Sequence, residues 1–112
     1  MRADIWDARE GVERLADNMA GYKVVTHDGS FGKVDRVSYS GNCLYLSAGG
    51  IRKRRYVIPA GAVERIDTDH RSIVVAVTAD EIEPAPRYDQ QRGLDEQSEL
   101  ATAAYYRPVI AR

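Results

Sequence analysis

The stretch Gly21-Tyr22-Lys23-Val24-Val25-Thr26-His27-Asp28-Gly29-Ser30-Phe31-Gly32-Lys33-Val34-Asp35-Arg36-Val37 decides the fold. Two short β-rich runs flank an Asp-Gly pair, and glycine supplies the positive φ that a tight turn demands. The spacing predicts a first strand over Tyr22 to Thr26 and a second over Lys33 to Tyr39. Val34 and Val37 fall out of step with strict alternation, which predicts a β-bulge near Asp35-Arg36.

Toward the C-terminus the same grammar repeats. Ser40-Gly41-Asn42 turns the chain into a third strand, Cys43 to Ala48, with Leu44 and Leu46 on one face. Gly49-Gly50 makes the next turn, and Arg54 to Ile58 follows as a fourth strand that Pro59 ends, since proline cannot donate to a ladder. Ala60 to Ile66 reads as a short helical turn with Val63 and Ile66 inward. Asp67 to His70 is a polar turn, and Ser72 to Val77, apolar on both faces, reads as a covered fifth strand. Thr78 and Glu81 have the spacing of a capping box for a short helix that Pro84 and Pro86 stop. Five strands with close turns predict a mainly β fold, a small, highly curved antiparallel barrel. Its expected core is Val24, Val37, Leu44, Leu46, Ile58, Val63, Ile73, Val75 and Val77.

Two arms flank this unit. In residues 1–20, Ile5, Ala8, Val12, Leu15 and Met19 recur at steps of three and four, which predicts an amphipathic N-terminal helix. Gly11 at its centre costs about 1 kcal/mol relative to alanine, so the stripe needs something to pack on. Residues 89–112 read as a polar linker and a helical tail, Leu94 to Tyr106, with Leu94, Gln97, Leu100 or Ala101, and Ala104 on one side. Pro108 is expected to end it. The division is therefore 1–20, 21–88 and 89–112.

The chain has 112 residues, enough for one domain with its own core. No apolar run approaches the roughly 20 residues of a membrane-spanning helix. A mixed-charge start with no apolar stretch after it gives no expectation of a secretory leader. The single cysteine, Cys43, excludes an intrachain disulfide and fits a reducing cytoplasm. Sixteen basic residues against 17 acidic give a net charge of −1, which argues weakly against a strong nucleic-acid binder.

The middle of the chain resembles the PRC-barrel family. The run from Gly21 to Val37 is similar to the family's opening, a Gly-x-x-Val strand, an Asp-Gly turn and a Gly-x-Val strand. Tyr56-Val57-Ile58-Pro59-Ala60 resembles its aromatic-apolar-Ile-Pro step. Thr78 to Ile82, with Ala85-Pro86 after it, resembles its closing segment. The match covers about residues 20–88. The resemblance implies a small barrel that binds other proteins and organises an assembly, with no catalytic centre and no cofactor. It implies an adaptor or scaffold and leaves the partner unnamed.

The residues themselves agree in giving no catalytic, cofactor-binding or metal site. His27 and His70 sit in turns beside Asp28 and Asp69, where side chains usually face water. Cys43 with two distant histidines is not a zinc spacing. Arg52-Lys53-Arg54-Arg55 is the sharpest charge feature. It reads as a solvated edge protected from pairing, as a surface for an acidic protein, or as a phosphate contact for RNA. Tyr45 and Tyr56 flank it as candidate partner-binding rings, and Tyr105 and Tyr106 beyond the barrel are candidates too, because tyrosine favours interfaces. The stripe Ile5, Val12, Leu15 and Met19, with Leu100 in the tail, is expected to make a homo-oligomer, since neither arm has a partner helix near in sequence. Other proteins are thus the expected partners, with RNA or the ribosome as the alternative.

Overall fold

Lys23–Thr26 (β1) and Gly29–Val37 (β2) form a hairpin around His27-Asp28, with Thr26 opposite Gly29 and Val25 opposite Ser30. Gly29 has φ +135°, the positive value the turn was expected to need. The Thr26 hydroxyl lies 2.6 Å from the Asp28 carboxylate and 2.8 Å from the Gly29 carbonyl, which locks the turn. These contacts belong to a computed structural model that describes residues 5–9, 12, 15, 17–38, 41–49, 53–87 and 96–111. Tyr39 and Ser40 lie outside the described residues, as do Gly50, Arg52 and the linker of residues 88–95.

Cys43–Ala48 (β3) and Arg54–Pro59 (β4) extend the meander, each antiparallel to its predecessor. The register between β2 and β3 shifts between Val34 and Arg36, so the bulge sits at Asp35 as the broken alternation predicted. Two inferences from sequence then need correction. Ala60 to Ile66 is not a helical turn throughout: a 3₁₀ turn, Ala60–Ala62, leads directly into a strand, Val63–Asp67 (β5). Val63 and Ile66 have helical spacing, but both are β-branched and both gain a strand partner in Ser72–Val75 (β6). The sheet is also not wholly antiparallel. Its order is β4-β3-β2-β1-β6-β5, and β1 and β6 run parallel, with Val24 opposite Ile73.

The additional strand explains the parallel pair. The pairings make β4 and β5 run in the same sense, so they are two halves of one long strand bent at Ala60–Ala62. Yet they occupy opposite edges of the sheet. In a flat sheet those edges would stand about 24 Å apart, five strand spacings. The four Cα steps from Pro59 to Val63 span at most about 15 Å. The sheet must therefore curl on itself. An isolated bridge between Tyr56 and Arg87 covers part of the β4 edge.

The concave side holds the core. All nine residues expected there are at most 4% exposed, joined by Tyr22, Val34, Tyr56 and Ile82. Ala79–Ile82 (α1) buries Ile82 in this core. Its capping box is complete: Glu81 N–H donates to the Thr78 hydroxyl, and Thr78 N–H donates to the Glu81 carboxylate. The first α1 amide, Ala79 N–H, donates to Asp28 at 3.2 Å, tying the helix to the first hairpin. The Thr26 hydroxyl and this amide hold the Asp28 carboxyl below its ordinary pKa.

Both arms differ from the sequence expectation. The described part of residues 1–20 holds a turn at Ile5-Trp6 and a 3₁₀ helix at Asp17–Met19, not a continuous α-helix; residues 1–4, 10, 11, 13, 14 and 16 lie outside the described set. Most of the apolar stripe packs all the same: Ile5, Leu15 and Met19 are buried in the barrel's own core and Val12 rests on it, while Ala8 is exposed. Long-range hydrogen bonds stand where helical ones were expected. Gly61 N–H donates to the Ile5 carbonyl at 2.6 Å, and Arg9 Nε donates to the Gly61 carbonyl at 2.7 Å. A Cβ at position 61 would lie 2.6 Å from the Ile5 oxygen, so only glycine fits beneath this strap.

In the tail, Glu96–Ala111 (α2) runs through Pro108 instead of stopping before it. Proline removes one helical hydrogen bond, and packing of Val109 and Ile110 on the core offsets that loss. The buried face is Thr102, Ala103 and Tyr106, not the expected Gln97, Ala101 and Ala104, since one tyrosine buries far more area than the alanines. Leu94 lies outside the described residues. Among the described residues no helix is long and apolar enough to cross a membrane.

Ile58 is fully buried opposite Leu44. Ile58→Ala is expected to cost about 2–5 kcal/mol in a denaturant titration. A loss below about 0.5 kcal/mol would mean the β4 faces are assigned the wrong way round.

Candidate binding surface

Alternation along β3 and β4 sorts the candidate residues by face. Leu44, Leu46, Tyr56 and Ile58 point into the core, while Cys43, Tyr45, Ser47, Arg55 and Val57 point outward. Alternation sends the neighbouring cations Arg54 and Arg55 of β4 to opposite faces. Arg55 is on the outer face opposite Ser47. Arg54 turns the other way and pairs with Glu83 at 2.9 Å. Lys53 is exposed ahead of β4, and Arg52 lies outside the described residues.

The tyrosines divide in the same manner. Tyr56 is 1% exposed, edge-on to Phe31 at 5.1 Å, with the Arg87 guanidinium 5.6 Å from its ring centroid. Tyr45 is on the opposite face, only 5% exposed, with the Arg36 guanidinium 4.2 Å over its ring. The two rings share no stacking surface. Tyr105 is half-buried and its hydroxyl donates to the Glu81 carbonyl at 2.5 Å. Tyr106 is wholly buried, and its hydroxyl has no hydrogen-bond partner among the described residues. Burial pushes that hydroxyl's pKa up, so it stays neutral.

Of the residues expected to make an oligomer, Ile5, Leu15 and Met19 sit in this chain's own core, Val12 is half-buried against it, and Leu100 is 65% exposed on α2. The histidines are exposed and pair with carboxylates other than their sequence neighbours. His27 Nε2 lies 2.9 Å from Glu64, and His70 Nδ1 lies 2.8 Å from Asp67. Cys43 is buried, and burial pushes its thiol's pKa up, away from the thiolate a nucleophile needs.

Three cations escaped the sequence reading. Lys23, Lys33 and Arg36 are exposed and share the outer face with Arg55. Each sits one residue from a buried valine of β1 or β2, and with the bulge allowed for, that signal would have aimed them outward. Nothing local to the sequence brings them together, because only the strand register does.

No family model matches the chain, and no curated protein matches it. Among solved structures the chain is similar to a Pseudomonas aeruginosa protein described as the 16S ribosomal RNA processing protein RimM. The identity is 20% and the TM-score 0.45, and the match covers 66% of this chain and 50% of that one. The matched region thus spans half the length of that protein.

A buried hydroxyl without a partner costs stability that its removal recovers. Tyr106→Phe is accordingly expected to hold stability constant or raise it by up to about 1 kcal/mol in thermal and denaturant unfolding. A loss of more than about 1 kcal/mol would show that the hydroxyl is hydrogen-bonded in solution.

Proposed function

We propose that this chain is a non-enzymatic binding module of the PRC-barrel type that serves as an adaptor or scaffold for other proteins. The barrel of residues 21–88 carries the binding face, and the two arms complete and cover it. The motifs behind the family resemblance have structural work to do. Asp28 anchors both the first hairpin and α1, the Ile58-Pro59 step opens the bend between the sheet edges, and Thr78 with Glu81 caps α1. The observation that carries the reading is an outer sheet face whose cations are left to solvent. Among the described residues, Lys23, Lys33, Lys53 and Arg55 make no ion pair. Such a face suits acidic side chains of a partner.

The hairpin cations test this reading. Fluorescence anisotropy of labelled polyglutamate, at low and at physiological salt, is expected to show binding that weakens as salt screens the charges over about 8 Å. Changing Lys53, Arg54 and Arg55 to Gln together should reduce that affinity. Preference for a single-stranded oligoribonucleotide of equal charge would instead support the RNA-associated alternative. Failure to bind either polyanion at low salt would overturn the reading.

A further inference from the structure

The strand register lines up one row of side chains across the outer face. Arg55 on β4 is opposite Ser47 on β3, Ser47 is opposite Lys33 on β2, and Lys33 is opposite Lys23 on β1. At about 4.8 Å per strand the row from Arg55 to Lys23 measures about 14 Å. Arg36 adds a fourth cation beside it, one step along β2 and over the Tyr45 ring.

Two features set this row apart from ordinary surface charge. Lys23 and Lys33 face each other directly, and like charges directly opposite destabilise a strand pair. Among the described residues neither is relieved by a carboxylate. Two carboxylates border the row without forming an ion pair with either lysine. Asp35, on the bulge, accepts from the Ser47 hydroxyl at 2.8 Å. Asp67 ends the same row beyond Ser72 and is held by His70 at 2.8 Å. An anionic group laid over the pair would relieve that repulsion.

We propose that this row is the docking surface for an acidic polypeptide segment laid across strands β4 to β1. The proposal rests on the reading of the chain as a protein-binding module and names the chemistry of its partner. In an extended segment alternate side chains repeat at about 6.7 Å, so three alternate carboxylates cover about 13 Å, close to the length of the row. A single-stranded nucleic acid fits less well. Its binding without sequence preference draws on aromatic rings open to stacking, whereas Tyr45 on this face is 5% exposed and covered by a guanidinium.

The experiment measures anisotropy of a labelled 12-residue peptide of alternating Glu and Ser with the full chain, and with Lys23→Glu, Lys33→Glu and Lys33→Gln. Each reversal is expected to weaken binding about tenfold, because it removes one attraction and adds one repulsion. Lys33→Gln should weaken it less. Both reversals should melt at or above the wild-type temperature, since a Glu opposite a Lys replaces a like-charge pair. A reversal that weakens binding while holding the melting temperature supports the row. Unchanged peptide affinity in all three variants, with loss only on changing Lys53 and Arg54, which lie off the row, would overturn the row and leave the protein-binding reading standing. Tighter binding of an oligoribonucleotide of equal charge, itself weakened by Lys33→Glu, would overturn the choice of partner. No binding of either probe to the wild-type chain at low salt would remove the row and the underlying reading together.

Discussion

Three residues, Ala60 to Ala62, have to carry the chain from one edge of a six-stranded sheet to the other. That constraint shapes the rest of the molecule. It forces the sheet to curl, which makes one face concave and fillable, while on the outer face Trp6 packs against Cys43, Tyr45 and Val57 and leaves Lys23 and Lys33 exposed. It also demands small residues, and this corner is Ala-Gly-Ala, wholly buried. A buried corner needs its backbone groups satisfied. Ala60 N–H donates to the Asn42 carbonyl and Ala76 N–H donates to the Ala62 carbonyl, each at 2.8 Å, tying the corner to the neighbours of both edges. The N-terminal strap supplies the remaining acceptor and donor through Ile5 and Arg9.

Features written in neighbouring residues were legible in the sequence. The first hairpin follows from Asp28-Gly29, the bulge from the broken alternation at Val34 and Val37, and the α1 cap from Thr78 and Glu81. The core followed from alternation, because each strand presents one face inward whatever its partner. The misreadings arise where a distant partner decides. Val63 and Ile66 carry a helical spacing, and only pairing with β6 makes them a strand. Pro108 is a stop signal in isolation, yet burial of Tyr106 and support for Val109 and Ile110 carry α2 past it. The basic run 52–55 stood out because it is contiguous. Register sends Arg54 and Arg55 to opposite faces, and gathers Lys23, Lys33 and Arg55 from three strands on one.

A net charge near zero conceals how the charges are placed. Asp80 and Glu81 lie in the first turn of α1, and Glu96 and Glu99 in the first turn of α2, where a carboxylate favours the helix dipole. Glu83 neutralises Arg54, and Glu64 and Asp67 hold the two histidines. Among the described residues, Lys23, Lys33 and Arg55 on the outer strands form no ion pair with any of these acids. Tyr106 packs in the apolar core, and among the described residues its hydroxyl has no hydrogen-bond partner.

The curl and its three-residue corner are tested most directly by solution NMR of the full chain. Cross-strand contacts between Val24 and Ile73 and between Val25 and Val74, in parallel register, are predicted, together with slow hydrogen exchange at the Ala60 and Ala76 amides. An antiparallel contact pattern between β1 and β6, or exchange of both corner amides at the rate of exposed backbone, would contradict the account.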